Sequence, residues 1–119
     1  MSSELDAERD AERLETILKV IADLDRRLGL LDFAAFSADE DEIDLTAYRL
    51  SVIGQCARKL TDGIKERHPD LPWKAMYGLR NLVSHDYANI ASRFVWAATE
   101  ELDPIRVMCV AELVRIRSA

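Results

Sequence analysis

LETILKVIADLDRRLG, Leu14 to Gly29, decides the fold. Leu14, Ile17, Leu18, Ile21, Leu24 and Leu28 recur at three- and four-residue steps, which places them on one stripe of an α-helix with charged residues between them. Upstream the pattern reaches back to Glu4, so one amphipathic helix is expected over Glu4–Leu28, stopped by Gly29. The stripe suits a core contact; a dimerising coiled coil would want more heptads.

Downstream the same period continues in pieces. Leu30–Phe36 is apolar with small residues and fits a connecting turn of helix. Ser37-Ala38-Asp39-Glu40 has the S-x-x-E form of a capping box, so a second long helix is expected from there. Its face would run Leu45, Tyr48, Val52, Cys56 and Leu60, with Ile53 and Ile64 alongside and Gly54 and Gly63 weakening its regularity. It should end near His68, because Pro69 disfavours helical geometry at the residue before it. Asp70-Leu71-Pro72-Trp73 opens a third helix with Pro72 in its first turn and Met76, Leu79 and Val83 as its buried stripe. Asn89 can cap a fourth carrying Phe94, Trp96 and Ala97, which Pro104 breaks or kinks. A final helix uses Ile105, Met108, Cys109, Leu113 and Ile116. No run alternates apolar and polar residues long enough to make a strand. The fold class expected is all-α, an up-and-down bundle of four to five helices in one domain over residues 1–119.

Composition agrees with that class. The chain has 119 residues, 49% hydrophobic and 32% charged, with only 4 glycines and 3 prolines, which favours helices over a turn-rich β fold. No apolar run approaches the roughly 20 residues that span a bilayer, and MSSELDAERD is too acidic for a signal or transit peptide, so the cytoplasm is the expected location and no membrane partner is expected. The 2 cysteines, Cys56 and Cys109, sit in apolar helical patterns without zinc spacing and read as buried free thiols. The net charge of −6 is uneven: acidic residues crowd the segment before Thr46, whereas the remainder is mildly basic. That distribution leaves room for a local basic cleft and for an acidic surface facing a partner.

The chemistry concentrates in RNLVSHDY, Arg80 to Tyr87. Arginine is a permanently charged fork suited to phosphate oxygens, and histidine can give and take protons near neutrality. On a continued α-helix Arg80 and His85 would lie roughly 140° apart at about 100° per residue, whereas Asn81 and His85 would share a stripe. Arg80 could still reach the substrate through its long side chain. In a twofold dimer whose helix ends meet, two arginines and two histidines would line one cleft. Such a cleft suits RNA cleavage without a metal ion. His85 would act as general base on the ribose 2′-OH or as acid on the leaving oxygen. Arg80 would hold the scissile phosphate, and Asn81 and Tyr87 would bind or orient the substrate. A plainer reading fits the same residues. His85 would bond to backbone at a helix end, Arg80 would pair with Asp86, and His68 would be an exposed turn histidine. Trp73, Tyr77 and Trp96 would be packing groups rather than base-stacking platforms.

PDLPWKAMYGLRNLVSHDY (Pro69–Tyr87), the Phe-Val-Trp run at Phe94–Trp96 and the Leu-Asp-Pro-Ile step at Leu102–Ile105 together resemble the HepT-like branch of the HEPN proteins. The R-x4-H-x-Y signature stands as Arg80, His85 and Tyr87, with the usual Asn81; a weaker match covers Tyr48–Gln55, and the resemblance extends over most of the chain after Leu45. It implies an all-helical homodimeric toxin with ribonuclease activity, needing no metal or cofactor, encoded beside a minimal nucleotidyltransferase that acts as its antitoxin. By the same resemblance Arg80 and His85 are the catalytic pair at the dimer interface, and Tyr87 receives AMP from the antitoxin. Bulky, anionic AMP there would block the cleft and repel RNA. The segment Ile53–Gln55 departs from the pattern, reading IGQ where IGE is expected. The competing expectation is a non-catalytic helical partner, or substrate-presenting subunit, of a nucleotidyltransferase, docking through the acidic first half.

Overall fold

In a computed structural model, which describes residues 2–83 and 92–118, the first helix, α1 (Ser2–Leu28), is the long spine on which the others pack. The predicted stripe is its buried face: Leu14, Ile17, Ile21, Leu24 and Leu28 are all at most 8% exposed. Gly29 stops it through space rather than backbone handedness. No described glycine has positive φ, but a Cβ on Gly29 would lie 2.7 Å from the Asp25 carbonyl oxygen to which the Gly29 N–H bonds.

A one-turn helix, α2 (Phe33–Ser37), follows, capped by the Asp32 carboxylate, which accepts from the Ala35 N–H at 2.8 Å. Helix α3 (Glu40–Lys59) is then capped by Asp39, whose side chain accepts from the N–H groups of Asp41 and Glu42. The expected cap, Ser37, instead donates its hydroxyl to the Ala34 carbonyl within α2. A carboxylate two residues closer to the helix start therefore takes over the capping role.

Two further expectations for this region are corrected. The buried face of α3 is Thr46, Ala47, Leu50, Ser51, Ile53, Gly54 and Ala57, while Tyr48 is 59% exposed. The helix is rotated from the stripe drawn through Tyr48, Val52 and Cys56, burying Leu50 and Ile53 together with small residues such as Gly54, where the neighbouring backbone comes closest. The single helix expected to reach His68 is also two helices, α3 and α4 (Asp62–Arg67). At the break the buried Asp10 carboxylate accepts from the Thr61 N–H at 3.1 Å and from its hydroxyl at 2.6 Å. The Thr61 hydroxyl makes no bond to the α4 N-terminus.

Helix α5 (Trp73–Gly78) starts at Pro72, which is its N-cap, and passes directly into a 3-10 turn, Leu79–Val83. The expected cap Asn89 lies outside the described residues. Helices α6 (Ser92–Thr99) and α7 (Asp103–Ser118) follow, with Pro104 in the first turn of α7, where its missing N–H costs nothing. α1 packs against α3 and α7, α3 against α5 and the 3-10 turn, and α2 against α6 and α3. Trp96 of α6 meets Phe33 and Phe36 of α2 with ring centroids 6.0 and 5.0 Å apart, a packing role as expected. The all-α architecture is that of a HEPN-like helical bundle, without a strand among the described residues. No described helix is long and apolar enough to cross a membrane. Cys56 and Cys109 are free, and burial pushes the Cys109 thiol up to about 12.

Asp10 ties the start of α1 to the break that frees α4. Asp10→Ala is expected to leave the Thr61 N–H and hydroxyl without their partner and to lower unfolding free energy by ~1–3 kcal/mol. Urea melts of variant and wild type would read this difference, and coincident midpoints would show that the tie contributes nothing.

Candidate active site

The turn that carries Arg80 is held by its backbone. Gly54 of α3 is buried, and a Cβ built on it would stand 2.7 Å from the Arg80 backbone nitrogen and 2.8 Å from the Met76 carbonyl oxygen. Main chain therefore lies on main chain at this crossing, a contact only glycine permits. The Arg80 and Asn81 side chains are exposed on the outer side of the same turn. A fixed backbone with an exposed guanidinium is the geometry a phosphate-binding arginine needs.

The turn is tighter than expected. The sequence reading carried the third helix through His85 as α-helix, but α5 ends at Gly78 and the chain continues as 3-10 helix from Leu79. The Leu79 N–H bonds back to the Met76 carbonyl, which tightens the winding just where the chain passes Gly54. With about 3 residues per turn, this winding is tighter than the roughly 3.6 of the α-helix on which the Arg80 geometry was expected. His85 and Tyr87, the expected catalytic partner and the expected AMP acceptor, lie outside the described residues. Of the four predicted site residues, Arg80 and Asn81 are placed, adjacent on one turn.

The N-terminal end of α5 is clamped by a group that the sequence reading missed. Glu112 of α7 is 3% exposed and accepts hydrogen bonds from three side chains. Arg67 donates through Nε and an amino group, the shortest at 2.7 Å; His68 Nε2 lies 2.7 Å away, and Arg115 Nε 2.9 Å. Burial opposes ionisation of this carboxyl, but the hydrogen bonds from Arg67, His68 and Arg115 outweigh it and pull it down to about 2. His68 is thus a half-buried partner of Glu112 and not the exposed turn histidine expected. Its backbone carbonyl in turn accepts from Trp73 Nε1 at 2.8 Å, which ties the first residue of α5 to the cluster. The missed signal was an acid at an apolar position, on the stripe of Met108, Cys109 and Ile116, facing the adjacent pair Arg67-His68.

Between the two clamps Tyr77 is half-buried, 6.4 Å from Trp73 by ring centroids, and covered by two cations. Lys65 Nζ is 4.9 Å and the Arg58 guanidinium carbon 5.7 Å from its ring centroid. The departure at Gln55 is benign for this geometry: Gln55 is exposed, and its neighbour Gly54 makes the contact with the turn. An apolar cleft of about 360 Å³ lies between α5 and the α6–α7 corner; among the described residues Glu101 is its one charged lining residue, and none of them is a cation that would hold a phosphate. Among the described residues no His, Cys, Asp or Glu cluster could hold a metal ion.

The family model described as ribonuclease HepT-like matches residues 17–111. The chain belongs to that family. Among curated proteins it is similar to "Putative RNase MJ1380" of Methanocaldococcus jannaschii, 36% identical over 52 residues that make up 44% of this chain and 48% of that protein. It is 29% identical over 83 residues to "Putative RNase TTE0752" of Caldanaerobacter subterraneus subsp. tengcongensis, covering 70% of this chain and 74% of the relative. To "Probable ribonuclease HepT" of Thermococcus cleftensis it is 25% identical over 88 residues, 74% of this chain and 80% of the relative. No solved structure matches the chain significantly. The matched span of the HepT-like model includes Gly54, Arg67, His68, Trp73 and the whole R-x4-H-x-Y stretch, and ends one residue before Glu112.

Two expected outcomes test this construction. Gly54→Ala drives a methyl into the Arg80 and Met76 backbone and should cost ~1–3 kcal/mol, as overpacked sites do. Gly78→Ala, with nothing within 4 Å of its added Cβ, should be neutral or slightly stabilising. Equal behaviour of the pair in denaturant melts would remove the crossing from the account. Glu112→Gln should cost ~1–3 kcal/mol at neutral pH through its lost charge-assisted bonds. Because the folded carboxyl ionises at about 2 against an ordinary 4.5, that margin is present above about pH 4.5 and fades as pH falls towards 2. A gap between wild type and variant that does not narrow over this window would contradict the assignment.

Proposed function

We propose that this HepT-like protein is the toxin of a toxin–antitoxin pair, a homodimeric endoribonuclease that cleaves RNA without a metal ion. The observation that carries the reading is Arg80, exposed on a turn whose backbone is locked against Gly54, in a chain of a ribonuclease family. Its guanidinium supplies the fork that holds the scissile phosphate and stabilises its developing charge. His85, five residues on, takes the proton of the ribose 2′-OH or gives one to the departing 5′-oxygen. As O2′ attacks phosphorus the P–O5′ bond breaks, leaving a 2′,3′-cyclic phosphate and a free 5′-hydroxyl. Asn81 orients the imidazole or a phosphate, and Tyr87 contacts the substrate.

A second chain completes the cleft by bringing its own arginine and histidine to the same axis. Tyr87 is also the control point. A partner nucleotidyltransferase, the antitoxin, transfers AMP from ATP to its hydroxyl, the phenol oxygen attacking the α-phosphorus as pyrophosphate leaves and the phenol proton is lost. The added bulk and negative charge shut RNA out. This assignment makes the whole chain one working unit in the cytoplasm.

The test is RNA cleavage in EDTA together with intact mass, on protein made with and without the neighbouring transferase. Unmodified wild type should cut RNA and leave cyclic phosphate ends. Arg80→Ala and His85→Ala should each lose at least ~100-fold in rate. Protein made with the transferase should gain the mass of AMP on Tyr87 and lose activity. Should unmodified protein leave diverse RNAs intact and never gain that mass, the chain is a non-catalytic partner of the transferase instead.

A further inference from the structure

Arg58 and Lys65 come together on the face of Tyr77 without a carboxylate between them. Lys65 Nζ donates to the Arg58 carbonyl at 3.1 Å, and both charges lie within 6 Å of one aromatic ring. Like charges drawn together in this way repel, and proteins ordinarily interleave an acid. At two places on this chain that is what happens: Lys19 and Arg26 share Asp23, and Arg67 and Arg115 share Glu112. Among the described residues Arg58, Lys65, Lys74 and Arg80 take part in no ion pair, as is also true of Arg9, Arg13, Arg49, Lys59 and Arg93. What sets Arg58 and Lys65 apart is that they share one aromatic ring, with Asp62 and Glu66 exposed on α4 beside Lys65. The tyrosine holds the cations in place by cation–π attraction and leaves their charge uncompensated.

The location matters as much as the charge. Gly54 touches the Arg80 backbone, and Arg58 is one helical turn further along the same stripe of α3. Tyr77 precedes Arg80 by three residues, again one turn. The Arg58–Lys65 pair therefore sits one turn from Arg80 along both elements that position it. The cations occupy the face of the Tyr77 ring over which they lie, so a base does not stack there.

We infer that Arg58 and Lys65, gathered on Tyr77, bind the phosphate backbone of single-stranded RNA flanking the phosphate held by Arg80. The site contacts backbone and not bases, so it extends the substrate footprint without reading sequence. This inference rests on the ribonuclease reading, which the experiment keeps separable.

The experiment measures binding of labelled oligo-A and oligo-U by full-length His85→Ala protein across a salt series, with the double variant Arg58→Gln, Lys65→Gln in the same background. Each lost single-strand phosphate contact removes about 0.7 from the slope of log affinity against log salt. The double variant should lose about 1.4 and bind roughly ten- to thirty-fold more weakly at 0.1 M salt, equally for both oligonucleotides. Swapping the cations, Arg58→Lys with Lys65→Arg, should restore the slope. If the double variant does not fold, as circular dichroism would show, Lys65→Gln alone carries the test with half the slope change. An unchanged slope, with wild type cleaving RNA, overturns this site and leaves the ribonuclease reading standing. Loss of self-association in place of RNA affinity would assign the pair to an acidic protein surface and likewise overturn it. Wild type that neither binds nor cuts RNA takes both readings down.

Discussion

The crossing of α3 by the 3-10 turn at Gly54 is the constraint on which the rest depends. Backbone meets backbone there at a spacing that any side chain would prevent. Close-packed interiors transmit a change of even one methyl group, because surrounding atoms cannot collapse or retreat freely. The approach turns the Gly54 side of α3 inward, and Leu50 and Ile53 are buried with it alongside Ala47, Ser51 and Ala57. It also fixes where the Arg80 main chain sits while its side chain stays in solvent. A residue meant to meet a charged ligand needs both conditions, since an arginine on a loose loop loses ordering entropy on binding and one in the core cannot reach solvent.

A second anchor makes α5 rigid along its length. Trp73 Nε1 bonds to the His68 carbonyl, and His68 and Arg67 bond to Glu112 on α7. A carboxylate this buried would be costly alone; three charge-assisted donors turn the cost into a directional lock. The short helix is therefore gripped by hydrogen bonds at its first residue and by steric fit just past its last. Six residues of isolated helix would not be stable in water. The two grips supply the order that helix propensity cannot.

What could be read from the sequence follows from which interactions are local. The α1 stripe and its stop at Gly29, the opening of a helix beside Pro72 and the restart beside Pro104 depend on nearby residues, and all were legible. The long-range partners were not. Asp10 splits the second helix by binding Thr61, 51 residues away, and nothing near Thr61 announces it. Glu112 reaches His68 across 44 residues, so the turn histidine beside Pro69 looked exposed. Gly54 reads locally as a defect in a helix and becomes intelligible only when the Arg80 backbone is seen against it. Arg80 and Asn81 were legible as chemistry through residue type and the motif, but their geometry was not, because the 3-10 winding arises from the crossing.

Charge distribution shows why a net value is a poor guide to what this surface binds. The chain carries −6, which would argue against a polyanion. Yet α3 itself separates the signs: Glu40, Asp41 and Glu42 fill its first turn and Arg58 and Lys59 its last. Each set suits its end of the helix dipole, so the separation stabilises the helix as it divides the charge. From Glu42 to Arg58 the helix rises ~24 Å at about 1.5 Å per residue. Mobile ions screen exposed charges over about 8 Å at physiological ionic strength, so the acidic end is roughly three screening lengths away. Under the proposed reading, a phosphate held by Arg80 would therefore respond to Arg58 and Lys65, and to Asp62 and Glu66 beside Lys65, far more than to the acids at the far end of α3. The acidic surplus repels a polyanion at long range only in dilute salt, so the net charge does not exclude the contact proposed at the basic end.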